Sequence, residues 1–222
     1  MKGFFITGTD TDAGKTEVAA GIIYSFVQKG YKVAGMKPIA SGCDETADGV
    51  RNSDALKLIS AANADLSYDL INPYTFKAPI APHIAAEQSG VAIEMAKIRQ
   101  CYREIQQQAD LVVVEGVGGW TVPIDQNQRM DDLALELGLS VIMVVGIRLG
   151  CINHTLLTYE AIQAKGLEVA GWVANYISTE DLCLQEQTDS IKQRISAPLL
   201  GEIPFNKSIN HQYVAQHIEI DL

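Results

Sequence analysis

The apolar run Phe4-Phe5-Ile6 leads into Gly8-Thr9-Asp10-Thr11-Asp12-Ala13-Gly14-Lys15-Thr16, and no other stretch constrains the chain as much. A short strand, a glycine-containing loop and a helix opening near Lys15 together make a cradle for phosphate. The loop's backbone N–H groups point at phosphate oxygens, and the helix adds its positive dipole end. Lys15 is expected to reach the outer phosphates, and the Thr16 hydroxyl to complete the shell of a Mg²⁺. The general pattern G-x-x-x-x-G-K-[ST] is met except at its first glycine, because Gly8 lies one residue early and Thr9 fills that place. The implied ligand is a nucleoside triphosphate, contacted along Asp12, Ala13, Gly14, Lys15, Thr16 and Glu17.

Downstream, apolar runs alternate with amphipathic stretches, as in a parallel sheet covered by helices. Strands are predicted at Gly3 to Thr7, Lys32 to Lys37, Leu111 to Glu115, Ser140 to Gly146, Glu168 to Asn175 and Leu199 to Ile203. Helices are predicted at Lys15 to Lys29, Ser53 to Ala62, Ile93 to Gln108, Met130 to Leu137, Asn153 to Lys165 and Asp181 to Ile195. Gly30, Gly138 and Gly166 each follow a helix, where a left-handed residue is wanted. The stretch Asn63 to Pro82 holds Pro73, Pro79 and Pro82 and reads as a long surface loop. The fold class is therefore α/β: a single-domain P-loop NTPase-type, mostly parallel sheet with helices on both faces, spanning residues 1–222.

In such sheets the ligand lies at the carboxyl ends of the strands. The strand ending at Glu115 is followed by Gly116-Val117-Gly118-Gly119-Trp120, where glycines let backbone approach a ligand closely. Glu115 beside a phosphate loop has the position of a metal-binding acid. Lys37 closes another strand on the ligand side, so a place in the pocket and a place on the solvated surface are both open. Asp54, at a helix start, suits either the helix dipole or a second Mg²⁺ carboxylate. Asn175 ends a strand and can contact a base or simply belong to a turn.

Other chemistries are disfavoured. A net charge of −10 argues against nucleic acid or an anionic membrane as partner. Cys43, Cys101, Cys151 and Cys183 lack C-x-x-C spacing, and the four histidines show no H-E-x-x-H pattern. Ser41 lacks the G-x-S-x-G elbow. No apolar run approaches the ~20 residues of a membrane helix, and Met1-Lys2-Gly3 runs straight into a strand rather than a signal peptide, so a cytoplasmic protein is expected.

Nine blocks in order resemble the dethiobiotin synthetase family. They are residues 8–16, Gly-Met-Lys-Pro-Ile-Ala-Ser-Gly (35–42), Arg-Asn-Ser-Asp (51–54), Asn-Pro-Tyr-Thr-Phe (72–76) and Ala-Pro-His (81–83). The others are Val-Glu-Gly-Val-Gly-Gly-Trp (114–120), Leu-Gly-Cys-Ile-Asn-His (149–154), Gly-Trp-Val-Ala-Asn (171–175) and Pro-Leu-Leu-Gly-Glu-Ile-Pro (198–204). The early glycine of the loop is that family's own form. The resemblance fades beyond Phe205, and no family block covers Thr179 to Thr188.

The resemblance implies ATP- and Mg²⁺-dependent closure of a ureido ring from 7,8-diaminononanoate and CO₂, yielding dethiobiotin, ADP and phosphate through a carbamate and a carbamic–phosphoric anhydride. It implies that Lys37 and Lys15 act on the transferring phosphoryl group, that Thr16, Asp54 and Glu115 hold the metal, and that Ser41 binds the diamine end. Gly116, Val117 and Gly118 would line the ATP site, and Asn175 with Pro204, Phe205 and Asn206 would contact adenine. A homodimer is implied, in which Gly150, Cys151, Ile152 and Asn153 capture the substrate carboxylate across the subunit interface. Two other readings share the scaffold. One is another ligase or kinase, which usually brings a further domain. The other is a partition-type switch ATPase, which would carry a second lysine where Asp10 stands.

Overall fold

The computed structural model describes residues 2–179 and 182–221. The chain begins with β1 (Lys2–Gly8), α1 (Lys15–Gln28) and β2 (Val33–Met36), followed by β3 (Ile39–Ser41) and the hairpin β4 (Asp44–Thr46) and β5 (Gly49–Arg51). Next come α2 (Ser53–Ala61), α3 (Tyr68–Ile71), β6 (Tyr74–Phe76), α4 (Pro82–Gln88), α5 (Met95–Gln106) and β7 (Leu111–Glu115). The second half alternates α6 (Met130–Leu137), β8 (Ser140–Ile147), α7 (Cys151–Ala164), β9 (Val169–Tyr176), α8 (Leu184–Lys192), β10 (Leu199–Ile203) and α9 (His211–Ala215).

Six strands form one parallel sheet in the order β10-β9-β8-β1-β7-β2. β1 is central, with Phe5 opposite Val114 on β7 and Val141 on β8. The strands read as continuous apolar runs because each is buried on both faces. Alternate residues divide between two cores. Phe5, Val112, Val114, Val141 and Met143 face α5, α6 and α7, whereas Phe4, Ile6, Leu111, Val113 and Ile142 face α1, α2 and α9. Each fully buried Val, Ile or Leu contributes about 1.5–3 kcal/mol to this two-sided packing.

The six large strands and most helices fall within a residue or two of the sequence prediction, and Gly30, Gly138 and Gly166 are left-handed as expected. The start of the predicted helix at Asp181 lies outside the described residues, and α8 begins at Leu184. α7 starts at Cys151 rather than Asn153, with left-handed Gly150 as its N-cap. The stretch 63–82 is not a surface loop. It holds α3 and β6, β6 pairs with β3, and Ile71, Asn72, Tyr74 and Phe76 are buried. Its prolines punctuate short elements, so no hydrophobic period is long enough to be read from the sequence.

Candidate active site

The phosphate loop connects β1 to α1 and is braced by the neighbouring β8 and by β9 beyond it. The Thr9 amide donates to Val144 O on β8 at 3.0 Å, and Asn175 Nδ2 on β9 donates to Ala13 O at 2.9 Å. Gly14 is left-handed (φ 92°), and a Cβ there would lie 2.1 Å from Asn175 Nδ2. Only glycine fits this turn. Lys15 opens α1 with its side chain folded back, Nζ donating to Asp10 O at 2.9 Å.

Glu115 ends β7, almost wholly buried. Its Oε1 accepts from Thr16 Oγ1 at 2.8 Å and from Lys37 Nζ at 2.6 Å. Lys37 Nζ also lies 3.2 Å from Asp54 Oδ2, so acids from α2 and β7 meet on the ammonium that follows β2, and Thr16 of α1 shares Glu115 with it. Lys37 is 3% exposed, which decides for the pocket and against the surface.

A chain of buried polar groups holds this convergence in place. The Lys37 amide donates to Ile71 O at 2.9 Å, and Asn72 Nδ2 donates to Lys37 O at 2.6 Å. Tyr68 Oη donates to Asn72 Oδ1 at 2.8 Å and accepts from the Asn52 amide at 2.7 Å. Asn52 Oδ1 in turn caps α2, accepting from the amides of Asp54 and Ala55 at 3.1 and 3.2 Å. Asp54 therefore serves the first turn of α2 and points its carboxylate at Lys37 as well. Asn52, Tyr68 and Asn72 were not singled out individually from the sequence, although two family blocks, 51–54 and 72–76, contain the asparagines.

Burial by itself would pull the Lys37 pKa down, but the charges of Glu115 and Asp54 outweigh it and hold the ammonium above the ordinary lysine value. Lys15 shifts the other way. Burial and the nearby charge of Lys37 lower its pKa, against the opposing pull of Glu115, Asp54 and Asp12. Burial leads this shift, and an anion bound against the ammonium would oppose it.

These residues form the floor of a cavity of about 780 Å³. Asp12, Gly14, Lys15, Thr16, Glu17, Lys37, Ser41, Asp54, Glu115, Val117 and Gly118 all line it. Gly116 contributes its backbone, its O accepting from Lys37 Nζ at 3.3 Å. Thr11, Val122 and the segment Pro79 to Pro82 are also in the wall, as is Lys57, which pairs with Glu17 at the mouth. Thr11 lies in the loop and Ala81 and Pro82 in a family block, but none of these residues was singled out for the site from the sequence, and the places of Lys57, Pro79, Ile80 and Val122 depend on which segments fold together. Ala13 is buried within the loop, and Asn175 lies just behind it. Pro204, Phe205 and Asn206 follow β10 at the same edge of the sheet, but neither they nor Gly150 to Asn153 line this cavity.

At the N-terminus of α7 the Cys151 amide already donates to Arg148 O at 3.0 Å, and Cys151 Sγ contacts Gln187 Oε1 at 3.2 Å. An anion held there would meet the amides of Ile152 and Asn153, a narrower donor set than the whole span 150–153.

The donor set by Lys37 fits a hard divalent cation. Glu115 Oε2 is buried without a hydrogen-bond partner, leaving a carboxylate oxygen free for one. Among the described residues no three of His, Cys, Asp and Glu form a metal-holding group. Two carboxylates and a hydroxyl would leave most of the shell to phosphate and water, the manner in which Mg²⁺ is usually held.

The sequence profile of the family described as "AAA domain" matches residues 2–212. An ATP-dependent dethiobiotin synthetase of Pseudomonas aeruginosa is 45% identical over 221 residues, covering 99% of this chain and 97% of that protein. Its counterpart in Aeromonas salmonicida is 50% identical over 206 residues, covering 92% and 91%. Among solved structures, the septum site-determining protein MinD of Pyrococcus horikoshii, complexed with Mg-ADP, superposes with a TM-score of 0.57 at 16% identity, covering 98% of this chain and 86% of that one. A ParA family ATPase of Chlorobium tepidum gives 0.57 at 12% identity, covering 97% and 91%. At these identities the two structures speak for the fold alone.

Proposed function

This chain belongs to the dethiobiotin synthetase family, and from that premise and the geometry of its cavity we propose how it works. It is a ligase that makes dethiobiotin by ATP-dependent ring closure. One amine of 7,8-diaminononanoate takes up CO₂ and loses a proton to become a carbamate. A carbamate oxygen attacks the γ-phosphorus, and the bond to the β-phosphate oxygen breaks to release ADP. The second amine then attacks the carbonyl carbon of the carbamic–phosphoric anhydride, closing the ring and expelling phosphate.

The observation that carries this reading is the ammonium of Lys37, buried on the cavity floor beside Lys15 and Thr16. Phosphoryl transfer needs positioned anions and concentrated positive charge rather than a protein nucleophile. Lys15 holds the outer phosphates. Lys37 meets the carbamate and the transferring phosphoryl group, its charge secured by the acids beside it. Thr16, Asp54 and Glu115 would hold Mg²⁺, which supplies Lewis-acid neutralisation of the phosphate oxygens. Ser41 binds the diamine end, and the apolar wall of Pro79, Ile80, Val117 and Val122 accommodates the aliphatic chain while excluding water. Asn175, Pro204, Phe205 and Asn206 receive the adenine.

A homodimer is part of the reading. The exposed apolar side chain of Leu149 precedes α7, that of Leu157 lies midway along it, and the Leu182 carbonyl is joined to its first residue through Gln187. Leu149 and Leu182 are 89% and 83% exposed, apolar surface that a second copy would cover. Apposing this face to a second copy would bring the amides of Ile152 and Asn153 to the carboxylate of the neighbour's substrate. A cytoplasmic location follows from the proposed role. Among the described residues no helix is long and apolar enough to cross a membrane.

ADP release should require 7,8-diaminononanoate and bicarbonate together, with dethiobiotin formed in equal amount. ADP release without the diamine, or only on addition of a partner protein, would replace this reading by a switch ATPase on the same scaffold.

A further inference from the structure

The steps above make no use of an ion pair behind the phosphate loop. Asp10 places a carboxylate within a loop whose amides are directed at an anion. Its Oδ1 accepts the Thr11 amide at 2.8 Å, its backbone O accepts Lys15 Nζ at 2.9 Å, and its Oδ2 accepts from Arg148 Nη2. Arg148 comes from the other side, directly after β8, and its carbonyl accepts the Cys151 amide that opens α7. The same two segments meet again where Gly146 lies against Ala13, close enough that a Cβ would be 3.2 Å from Ala13 Cα. Asp10, Arg148 and His154 are the charged and titratable groups lining this crevice.

We propose that Arg148 is a positioning residue for both halves of the reaction: it cancels the charge that Asp10 puts beside the nucleotide phosphates, and it fixes the loop opening α7 against the phosphate loop. The first part follows from sign and distance. Asp10 is one residue from Thr11 and hydrogen-bonded through its backbone to Lys15, so its unpaired charge would act on the same phosphates that Lys15 attracts. The second part follows from the contiguous contacts Lys15–Asp10–Arg148–Cys151, which run from the phosphate loop to the first residue of α7. The side chains of Arg148 and Asp10 are 41% and 45% exposed, so the pair adds little to stability, and what it changes is the charge beside the phosphates and the tie between the two segments. The nucleotide half rests on the loop geometry alone, and the α7 half rests on the function proposed above.

The test is calorimetric titration of Mg-ADP into the full-length protein and its Arg148→Met, Arg148→Lys, Asp10→Asn and Asp10→Asn/Arg148→Met variants, each first checked for cooperative thermal unfolding. Arg148→Met should weaken ADP about tenfold, and Arg148→Lys should retain most of the affinity because the charge survives. Asn at position 10 still accepts the Thr11 amide, so Asp10→Asn should bind ADP at least as well as wild type, and the double variant should recover the affinity lost in Arg148→Met. The KM for 7,8-diaminononanoate should rise in Arg148→Met and stay raised in the double variant, where the tie to α7 is absent. Unchanged ADP affinity in Arg148→Met, or no recovery in the double variant, overturns the charge compensation. A wild-type KM in the double variant overturns the tie to α7. Should the wild-type protein not turn over the diamine at all, the proposed function fails, while the ADP titrations still decide the compensation.

Discussion

Replacing Lys37 by Met removes the cation on which a buried carboxylate depends. The Glu115 side chain is 1% exposed, and its Oε1 lies 2.6 Å from Lys37 Nζ. Met keeps most of the length and carries no charge. Stranding one member of a buried pair costs about 3–5 kcal/mol. In a chain of this size each kcal/mol moves the melting temperature by about 2–4 °C, so a fall of about 6–20 °C is expected. The Lys37 pKa is raised above the unfolded lysine value of ~10.4, so its contribution is fully present below that pH and lost only as pH climbs through the higher folded value. The penalty should therefore be constant from neutral to mildly alkaline pH. Adding Glu115→Gln removes the stranded charge and keeps an oxygen for Thr16 Oγ1, so the double variant should regain much of the stability and none of the activity. Turnover should fall by ~10²-fold or more in both variants, in line with loss of one preorganised charge, whereas ADP affinity of Lys37→Met should change far less. Scanning calorimetry without ligand and an ADP-release assay read the two effects separately. Wild-type melting together with near-normal turnover in Lys37→Met would falsify the assignment of this ammonium to both roles.

Glu115→Gln alone should fold and require more Mg²⁺ for half-maximal turnover, because a neutral amide attracts a hard cation weakly; an unchanged Mg²⁺ titration removes Glu115 from the metal shell. Lys15 is lowered in the free protein by burial and by Lys37, and bound phosphates favour its charged form, so ADP affinity should fall as pH rises through that lowered value, ahead of ordinary lysine titration. Titrating ADP across the alkaline range tests this, and Lys15→Arg should show no such decline; a flat wild-type profile refutes it. Mixing an inactive Lys15 variant with one altered at Gly150 to Asn153 should restore activity in heterodimers, because one site then combines two intact halves. Confirmed subunit exchange without recovered activity would mean that each chain works alone.

The nucleotide cradle was legible in the sequence because everything that makes it is local. Phe4 to Ile6, the turn at Gly14 and the helix from Lys15 follow one another within a few residues, and the uninterrupted apolar runs of β7 and β8 announce strands buried on both faces. Lys37, Asp54 and Glu115 could be marked as candidates from their places at element ends, but not as partners. Their convergence depends on β2 and β7 pairing side by side and on α2 packing near them. Of the residues that hold them, Tyr68 and Asn72 sit in the proline-punctuated stretch, where no period distinguishes a buried element from a surface loop, and Asn52 precedes α2, where its cap is local but its partner Tyr68 is not. The Asp10–Arg148 pair joins positions 138 residues apart. Local propensity and period set the elements, because backbone conformation and side-chain alternation act over a few neighbours. Which charges face one another was decided only in the tertiary structure, where burial makes an unpaired polar group costly and so selects its distant partner.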